Sequence, residues 1–441
     1  MDLKPRDTQR GQRLMLVESG LVAAMMASVS GLFLTGLVVE LGGEAPHVGW
    51  LQSAMLIGGV FQVSTNWILD RVGSRKRFCL AALGTVRLLR AMIAALPLLA
   101  LWGLERSLLL GPLAALMLVG GVFGMSAEAV RQSWIADLVP VSMRGRFFGR
   151  RVQIAGAVTM IAVPAYAWFV DAWQDAGREP LVAFQLVIAF GVGSGFASLW
   201  CIWKLPEPPL HRNEKRTSLL RSLALPFGEQ QFRRFIALRS SFSFAAGMCA
   251  GFFYFFMLRF LGMSYIQIAL TEVLSQLVGL LAAPLWGRLA DRWGTRRLLV
   301  LALSFKAIFP FLWLGLLPQW WYLVFAVVLV RVFNTAQQIG FLNLALRLAP
   351  QADRAAYLSV ERGCHNLARA AAPAIAGALA AAIGDAVWQV GALTFTALHV
   401  LMFLSGVLRV ASLAWLRGMR EPEEAEVNQM DVDEDELRPS D

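Results

Sequence analysis

Residues 287–299, GRLADRWGTRRLL, place one aspartate and four arginines between two long apolar runs. A charge cluster of this kind is too costly to lie in the hydrocarbon core of a bilayer. We therefore predict a polar turn between two membrane-spanning helices. A near copy, NWILDRVGSRKRF, occupies residues 66–78, about half a chain earlier. The two copies predict two related halves with the same turn at the same place.

The composition indicates a membrane-embedded chain. Of the 441 residues, 57% are hydrophobic and 16% are charged, and the mean hydropathy is +0.58. Soluble domains carry about 25% charged residues, whereas apolar runs of about 18 residues or more recur along this chain. We predict an all-α polytopic membrane protein with twelve spans, near residues 14–41, 47–69, 76–102, 107–135, 150–173, 181–204, 235–260, 264–290, 296–317, 320–347, 360–384 and 388–417.

The basic residues predict the orientation of the chain. Most lysines and arginines fall in the N-terminus and in the loops after the even-numbered spans, and acidic residues such as Glu40, Glu44 and Glu179 dominate the other loops. Loops rich in lysine and arginine stay in the cytoplasm. Both termini are therefore predicted to be cytoplasmic, in a multi-pass protein of the cytoplasmic (inner) membrane. The net charge of +10 then reflects topology and anionic lipid, and no nucleic-acid partner is expected.

The same pattern divides the chain into five regions. A cytoplasmic N-terminus (1–13) precedes a first six-helix bundle (14–204), and a basic, Pro-rich cytoplasmic linker (205–234) leads into a second bundle (235–417). The linker contains an amphipathic segment, SLLRSLALPF, suited to the membrane interface. The last region (418–441) is strongly acidic and has no aromatic residue, a composition typical of a disordered cytoplasmic tail.

The two halves align in one order along their whole length. LGGEAPHVGWLQS from Leu41 matches LGMSYIQIALTEV from Leu261, ahead of the two charged turns. Pro140 matches Pro350 after the turns, with an arginine four residues later in each half. Parallel six-span repeats, related by an axis along the membrane normal, are typical of one large transporter architecture.

The turns carry a resemblance to a known family. GRLADRWGTRR after the eighth span resembles the signature loop of the major facilitator superfamily, and DRVGSRKR after the second span resembles its first copy. RGRFFGRR after the fourth span is similar to bacterial members without an assigned substrate. The resemblance covers residues 14–417. It implies a secondary active transporter whose two bundles rock about a central site, moving a small solute by alternating access with proton coupling.

The resemblance also implies that the turns are gates. Asp291 is expected to face the N-terminus of span 5 and Asp70 that of span 11, and these carboxylate–dipole contacts would close the cytoplasmic side. Asn66 stands where the second copy has Gly287, so closure is expected to depend more on Asp291. The alternative is a turn that only fixes topology. The gating residues are Asp70, Arg71, Gly73, Arg75, Gly287, Asp291, Arg292, Gly294 and Arg296.

Charged and amide side chains inside the spans indicate a polar cavity, because ionisable groups in a bilayer are costly and generally functional. Arg87 and Lys306 lie at similar depths in spans 3 and 9, and Arg331 precedes an amide-rich stripe in span 10. These groups favour an anionic or polar substrate. The alternative is that they pair as structural contacts. The expected cavity residues are Arg87, Lys306, Arg331, Asn334, Gln337, Gln338 and Asn343.

Proton coupling needs an embedded group that titrates. Glu128 has Arg131 three residues later, which predicts an ion pair, and a packing role is the alternative for His399. The glycine-rich antiporter signature of the superfamily is not evident in span 5, so the sequence does not support antiport. The coupling candidates are Glu18, Glu128, Glu272 and His399.

Other function classes lack their motifs. The sequence shows no phosphate loop, no nucleotide-binding domain and no metal-ligand cluster, so we expect neither an enzyme nor an ATP-driven pump, and no cofactor or metal. The four cysteines lie in or beside apolar runs and are predicted to be free. A monomer in the lipid bilayer is expected, with a small-molecule substrate and protons as partners. The alternatives are efflux of drug- or lipid-like molecules, or a sensor or assembly factor that keeps the scaffold without transporting.

Overall fold

The computed structural model describes residues 5–29, 31–59, 65–140, 143–207, 219–351, 353–384, 386–390 and 393–419. Its first half contains spans 1 to 6, with helices Pro5–Val29 and Gly31–Glu40 (span 1), Ala45–Ile57 and Thr65–Val72 (span 2), Arg75–Leu101 (span 3), Leu110–Leu138 (span 4), Arg144–Asp175 (span 5) and Pro180–Trp203 (span 6). A 3₁₀ turn, Arg106–Leu109, precedes span 4.

The second half repeats this order. It contains Gln230–Ala250, Phe252–Phe255 and a π-helical turn Phe256–Phe260 (span 7), Tyr265–Trp293 (span 8), Thr295–Leu312 (span 9), Arg354–Ile383 (span 11), and Ala397–Ser412 with a 3₁₀ turn Leu413–Leu416 (span 12). Span 10 is built from two α-helices, Val324–Val327 and Phe333–Leu348, and two 3₁₀ segments, Pro318–Leu323 and Val328–Val332. The predicted all-α polytopic fold is confirmed.

Ten of these helical stretches are long and apolar enough to cross a membrane. Spans 2 and 9 are the other two positions of the predicted twelve. Span 2 is described in two pieces, with residues 60–64 outside the described part. Span 9 carries Arg296, Arg297 and Lys306 within 18 residues, which lowers its mean hydropathy without changing its place in the repeat.

Two segment boundaries differ from the sequence-based expectation. Span 12 begins at Ala397 rather than at residue 388, because Trp388–Val390 and Leu393–Phe395 pair as a short antiparallel hairpin. The linker holds the helix Leu219–Gly228, where the amphipathic segment was expected, and span 7 already begins at Gln230. The acidic tail after residue 419 lies outside the described residues.

The side of the protein that carries the loops after the even-numbered spans is called the basic side here, and the opposite side is called the far side.

The two repeated turns each contain a glycine with a positive φ angle. Gly73 and Gly294 have φ angles of 67° and 82°, a conformation that suits glycine. Lys76 Nζ donates to the Leu205 carbonyl over 3.1 Å. In the second half Arg296 Nη2 donates to the Leu416 carbonyl over 3.3 Å, so both turns bind the end of the last span of their own half.

Among the described residues, the hydrophobic core shared by the two halves lies toward the far side. One large cluster contains residues of both halves, among them Phe184 and Tyr265, whose rings meet edge to face. Toward the basic side each half has its own cluster, around Trp134 in the first half and Phe235 in the second. The halves are therefore joined most firmly at the far side.

Spans 2 and 11 bring the backbones of the two halves close together. A Cβ atom on Gly49 would lie 2.4 Å from the Pro373 carbonyl oxygen, and one on Gly377 would lie 2.9 Å from that of Pro46. Only glycine permits this contact, since real Cβ atoms do not come so close to other atoms. Nearby, Arg259 Nη2 donates to the Val39 carbonyl over 3.3 Å.

Candidate functional site

A cavity of about 210 Å³ lies within the second half, among spans 7, 8, 9, 10 and 12. Its wall combines apolar and aromatic side chains with four charged groups that converge on the same space. The residues that line it are Ala246, Ala250, Phe253, Tyr254, Met257, Thr271, Glu272, Lys306, Phe309, Trp313, Val328, Val330, Arg331, Asn334 and Arg409. Embedded apolar pockets with a few convergent polar groups are the usual form of a small-molecule site.

Two breaks in helical geometry shape this cavity. Span 10 changes from α to 3₁₀ geometry over Val328–Val332, and Arg331 lies within that segment. Span 7 ends in the π-helical turn Phe256–Phe260, directly beyond the cavity residues Phe253 and Tyr254. Such breaks in a long helix often mark hinges and functional sites.

An ion pair joins spans 8 and 10 in the cavity wall. Arg331 Nη1 donates to Glu272 Oε1, and the side chains are 30% and 15% exposed. Tyr254 of span 7 lies beside the same carboxylate. A Cβ on Gly31, at the break in span 1, would lie 3.5 Å from the Tyr254 hydroxyl. The pair thus connects, through Tyr254, to the first half of the protein.

Two further cations line the cavity. Lys306 Nζ donates to Gln337 Oε1 of span 10. Arg409 of span 12 is 3% exposed; its Nη1 donates to the Lys306 carbonyl over 2.8 Å and its Nη2 lies 3.5 Å from Cys249 Sγ. Sequence reasoning missed Arg409. The sequence does mark Arg409, as an arginine about twelve residues after the start of an apolar helix at Ala397. The predicted start at residue 388 hid how deep in the helix Arg409 lies.

The structure brings together only part of the predicted cavity set. Lys306, Arg331 and Asn334 line the cavity, and Gln337 contacts Lys306. Gln338 is exposed, about 100° around the helix from Gln337. These placements divide the amide-rich stripe between two faces of span 10.

Asn343 and Arg87 lie elsewhere. Asn343 follows Asn334 by nine residues, which is about two and a half turns and therefore the opposite face of span 10. Arg87 is 3% exposed and donates to the Gly195 carbonyl over 3.4 Å and to Ser198 Oγ over 3.2 Å, both in span 6. Its depth was foreseen, but packing turns the side chain toward a neighbouring span.

The first half holds a buried ionic cluster near its basic side. Arg131 Nη1 lies 2.7 Å from Glu18 Oε2, and Arg131 Nε lies 2.9 Å from Glu128 Oε2, which confirms the predicted pairing within span 4. Arg151 of span 5 reaches Glu18 over 3.5 Å. Glu18 is 1% exposed. The cluster ties spans 1, 4 and 5 together, so two of the coupling candidates are held in ion pairs.

The second half has a matching pair of opposite polarity. Arg239 of span 7 lies 2.9 Å from Glu361 of span 11. On the Pro140–Pro350 match, Glu361 is equivalent to Arg151. In each half one buried ion pair thus joins the first and fifth spans, with the carboxylate on the first span in one half and on the fifth span in the other.

His399 is a capping residue of span 12. Its Nδ1 accepts a hydrogen bond from the Thr396 backbone N–H over 3.1 Å, in a reciprocal capping box. Its ring packs against Phe256, Phe260 and Phe395. Since the span begins at Ala397, His399 lies in its first turn and not in its middle as expected.

Among the described side chains, Asp291 does not form the expected latch in this conformation. Asp291 is exposed and makes no hydrogen bond or ion pair with another described residue, and a Cβ on Gly287 would meet no atom within 4 Å. Arg292 is likewise exposed. Arg75 pairs with Asp137 of its own half. The side chains of Asp70 and Asn66 lie outside the described residues.

A carboxylate–helix contact between the halves is found at the far side instead. Asp171, near the end of span 5, accepts hydrogen bonds from the backbone N–H groups of Tyr265 over 3.0 Å and Ile266 over 2.7 Å, in the first turn of span 8. In the sequence Asp171 is one more acidic residue near the end of span 5. No local pattern marks it as a partner of another helix.

The described residues offer no metal-binding group, since no three His, Cys, Asp or Glu side chains come together in the described ranges. All four cysteines are free, as predicted.

The repeated bundles and the embedded, charged cavity define a polytopic helical membrane protein of the transporter class. The sequence model of the Major Facilitator Superfamily matches residues 19–270 and 240–434, so the chain belongs to this superfamily, as the turns had indicated. Its secondary transporters move small molecules across the bilayer.

Solved structures show the same fold. The nucleoside transporter NupG superposes with a TM-score of 0.69 at 13% identity, covering 94% of this chain and 99% of NupG. A D-xylose-proton symporter gives 0.69 at 17% identity, covering 94% and 98%. A bacterial homologue of the iron transporter ferroportin in an inward-facing state gives 0.62 at 15%, covering 93% and 98%. Identities this low show the fold alone.

One curated relative matches over a short segment. A Na(+), Li(+), K(+)/H(+) antiporter of Planococcus maritimus is 33% identical over 107 residues. The segment is 24% of this chain and 19% of the antiporter, so this chain covers only a small part of that protein.

Proposed function

We propose that this protein is a proton-coupled secondary transporter that moves a small anionic or polar organic solute by alternating access. The observation that carries the proposal is the Glu272–Arg331 ion pair in the wall of the embedded cavity. Three cations and one carboxylate line the cavity, so its charge favours an anion. A proton symporter among the structural neighbours and a cation/proton antiporter among the relatives support the coupling.

The pair offers a direct way to couple a proton to an anion. While Glu272 is ionised, it neutralises Arg331 and competes with a substrate anion for the guanidinium. Protonation removes that competition and frees Arg331 for the substrate. A proton and an anion then enter together, and the charge of the cavity is the same before and after loading.

The proposal includes an orientation and a conformation. The basic side faces the cytoplasm by the lysine and arginine rule, the membrane is the cytoplasmic one, and the protein acts as a monomer. The shared core, the Gly49–Pro373 contact and the Asp171 hydrogen bonds all lie at the far side. The structure then corresponds to a state closed to the outside and open to the cytoplasm.

The test uses purified protein in liposomes. A thermal-shift screen of a solute library at two pH values first identifies ligands. Transport of a ligand is then measured in two ways, as uptake driven by a pH gradient and as exchange of the ligand across the membrane without a gradient. We expect Glu272→Gln to abolish gradient-driven accumulation and to retain exchange. Glu105→Gln, an exposed carboxylate in the loop before span 4, is the matched control. Gradient-driven accumulation by Glu272→Gln at the wild-type level would contradict the proposal.

A further inference from the structure

Two cations of the cavity converge on one buried aromatic ring. Lys306 Nζ lies 5.9 Å from the ring centroid of Phe242, and Arg409 Cζ lies 6.0 Å from the same centroid. Phe242 is fully buried. A ring face attracts cations, so spans 9 and 12 hold two positive charges close together, deep in the second half.

Only neutral groups of the protein bind these two cations among the described residues. Lys306 donates to the Gln337 amide, and Arg409 binds the Lys306 carbonyl and the Cys249 sulfur. The single carboxylate of the cavity, Glu272, is bound to Arg331. Buried charges are normally paired with an opposite charge, and here the described part of the chain supplies none within ion-pair distance of Lys306 or Arg409.

Two hydrogen-bond donors on the cavity wall point to the same chemistry. Arg409 Nε and Trp313 Nε1 are buried and have no hydrogen-bond partner among the described residues. Both belong to side chains that line the cavity. Guanidinium and indole N–H groups only donate, so a molecule that satisfies them must carry acceptors. Two cations and two free donors together select an anion.

The rest of the wall is apolar. Phe253, Phe309 and Trp313 form a group of rings, with centroids of Phe253 and Trp313 4.6 Å apart. A fully hydrated inorganic ion gains nothing from such a wall, whereas an apolar group does. The cavity of about 210 Å³ is smaller than the pockets of about 300–1,000 Å³ that hold drug-sized ligands.

From these features we infer that the substrate is a small organic carboxylate with an apolar body. The carboxylate binds Lys306 and Arg409 and accepts from the Trp313 indole, and the apolar body packs against Phe253 and Phe309. Arg331 of the same wall adds a third cation to this anion once protonation of Glu272 releases it. This inference rests on the proposed transport function and names the substrate class of the same site. It makes Arg409 a substrate-binding residue that determines specificity for anions.

The test measures binding to full-length protein in nanodiscs by isothermal titration calorimetry at pH 7. Benzoate is the probe, benzamide is its neutral match, and inorganic phosphate is the anion without an apolar body. We expect benzoate to bind at least about 10-fold more tightly than either. Removing one charge-assisted contact should weaken benzoate about 10- to 100-fold in Lys306→Gln and in Arg409→Gln.

Further variants separate the effect of charge from that of side-chain shape and supply a control. Arg409→Lys keeps the charge and should recover part of the affinity, and Trp313→Phe should cost about 2- to 10-fold. Lys204→Gln, an exposed cation against Trp200, should bind as the wild type does. Circular dichroism and gel filtration confirm that each variant is folded; a glutamine variant that fails them is replaced by Lys306→Met or Arg409→Met, which also removes the charge and keeps an unbranched side chain.

Three results would overturn the inference: benzamide or phosphate binding as tightly as benzoate, unchanged benzoate binding in both charge variants, or no binding of benzoate at all. The outcome is separate from that of the transport proposal, because binding is measured without a gradient. Intact benzoate binding without pH-driven uptake would contradict proton coupling alone.

Discussion

The carboxylate of Asp171 in span 5 caps the first turn of span 8 at Tyr265, and this hydrogen bond crosses from one half of the protein to the other. It is the kind of contact that the sequence predicted for Asp291, an aspartate facing a helix N-terminus of the opposite half. The structure has it at the far side. A transporter with alternating access closes each end in turn, so it needs such a contact at each end, and only one end is open at a time.

The Asp171 contact makes a prediction about the conformational equilibrium. Asp171→Asn removes the charge and one acceptor, and hydrogen bonds to a charged group contribute about 1.5–3 kcal/mol. The asparagine amide oxygen can still accept one of the two hydrogen bonds. We therefore expect the population of the state with an open far side to rise about tenfold. Spin labels on Ser107→Cys and Gln319→Cys, both in far-side loops, report this as a longer distance between the halves. The control is Asp175→Asn, which changes an exposed aspartate one turn later and should leave the distances unchanged. Unchanged distances in Asp171→Asn as well would show that the cap does not hold the far side closed.

The glycine contact between spans 2 and 11 gives a second prediction for the same equilibrium. A methyl group on Gly49 would meet the Pro373 carbonyl oxygen at 2.4 Å, so Gly49→Ala must push the far ends of the halves apart. The same spin labels should report a longer distance. Gly84→Ala is the control, because its Cβ meets nothing within 4 Å and it lies within a helix. Unchanged distances in Gly49→Ala would show that the close approach is not needed for closure.

For the turn at residues 287–299 we expect the distance between the far-side labels to change in the opposite direction. Asp291 is exposed here, so neutralising it does not weaken this conformation. If Asp291 binds the start of span 5 when the basic side is closed, Asp291→Asn removes about 0.3–2 kcal/mol from that state. The population of the present conformation then rises, and the far-side labels report shorter distances. Asp70→Asn should have the smaller effect. Equal effects of the two variants would contradict the asymmetry expected from Asn66 and Gly287.

The sequence was sufficient for the fold because hydropathy and the repeated charged turn are local signals. They predicted the span order and the turn at Gly294. They also singled out Lys306 and Arg331, which line the cavity, since a charge in an apolar helix is visible in any single sequence.

What the sequence missed depends on neighbouring spans. Depth along a helix does not tell which face a side chain takes, so Arg87 was assigned to the cavity although it binds span 6. The same limit applies to Asn343. Asp171 and Arg409 gain their partners from distant parts of the chain, and the partner of Asp171 also depends on which side of the protein is closed.

The ion pairs that join the first and fifth spans of each half give the last prediction. Removing one member of a buried pair leaves an uncompensated charge and costs about 3–5 kcal/mol. The Arg239 side chain is 23% exposed, so we expect Glu361→Gln to cost less, about 1–3 kcal/mol. Removing both charges with Arg239→Gln should restore most of that loss, since no unpaired ion remains. In the first half Glu18→Gln leaves two arginines, Arg131 and Arg151, near each other, so we expect it to cost more than Glu361→Gln.

Unfolding of detergent-solubilised variants in a double-mutant cycle measures these differences in the free energy of unfolding. Additive effects of Arg239→Gln and Glu361→Gln would show that the pair makes no contribution as a pair.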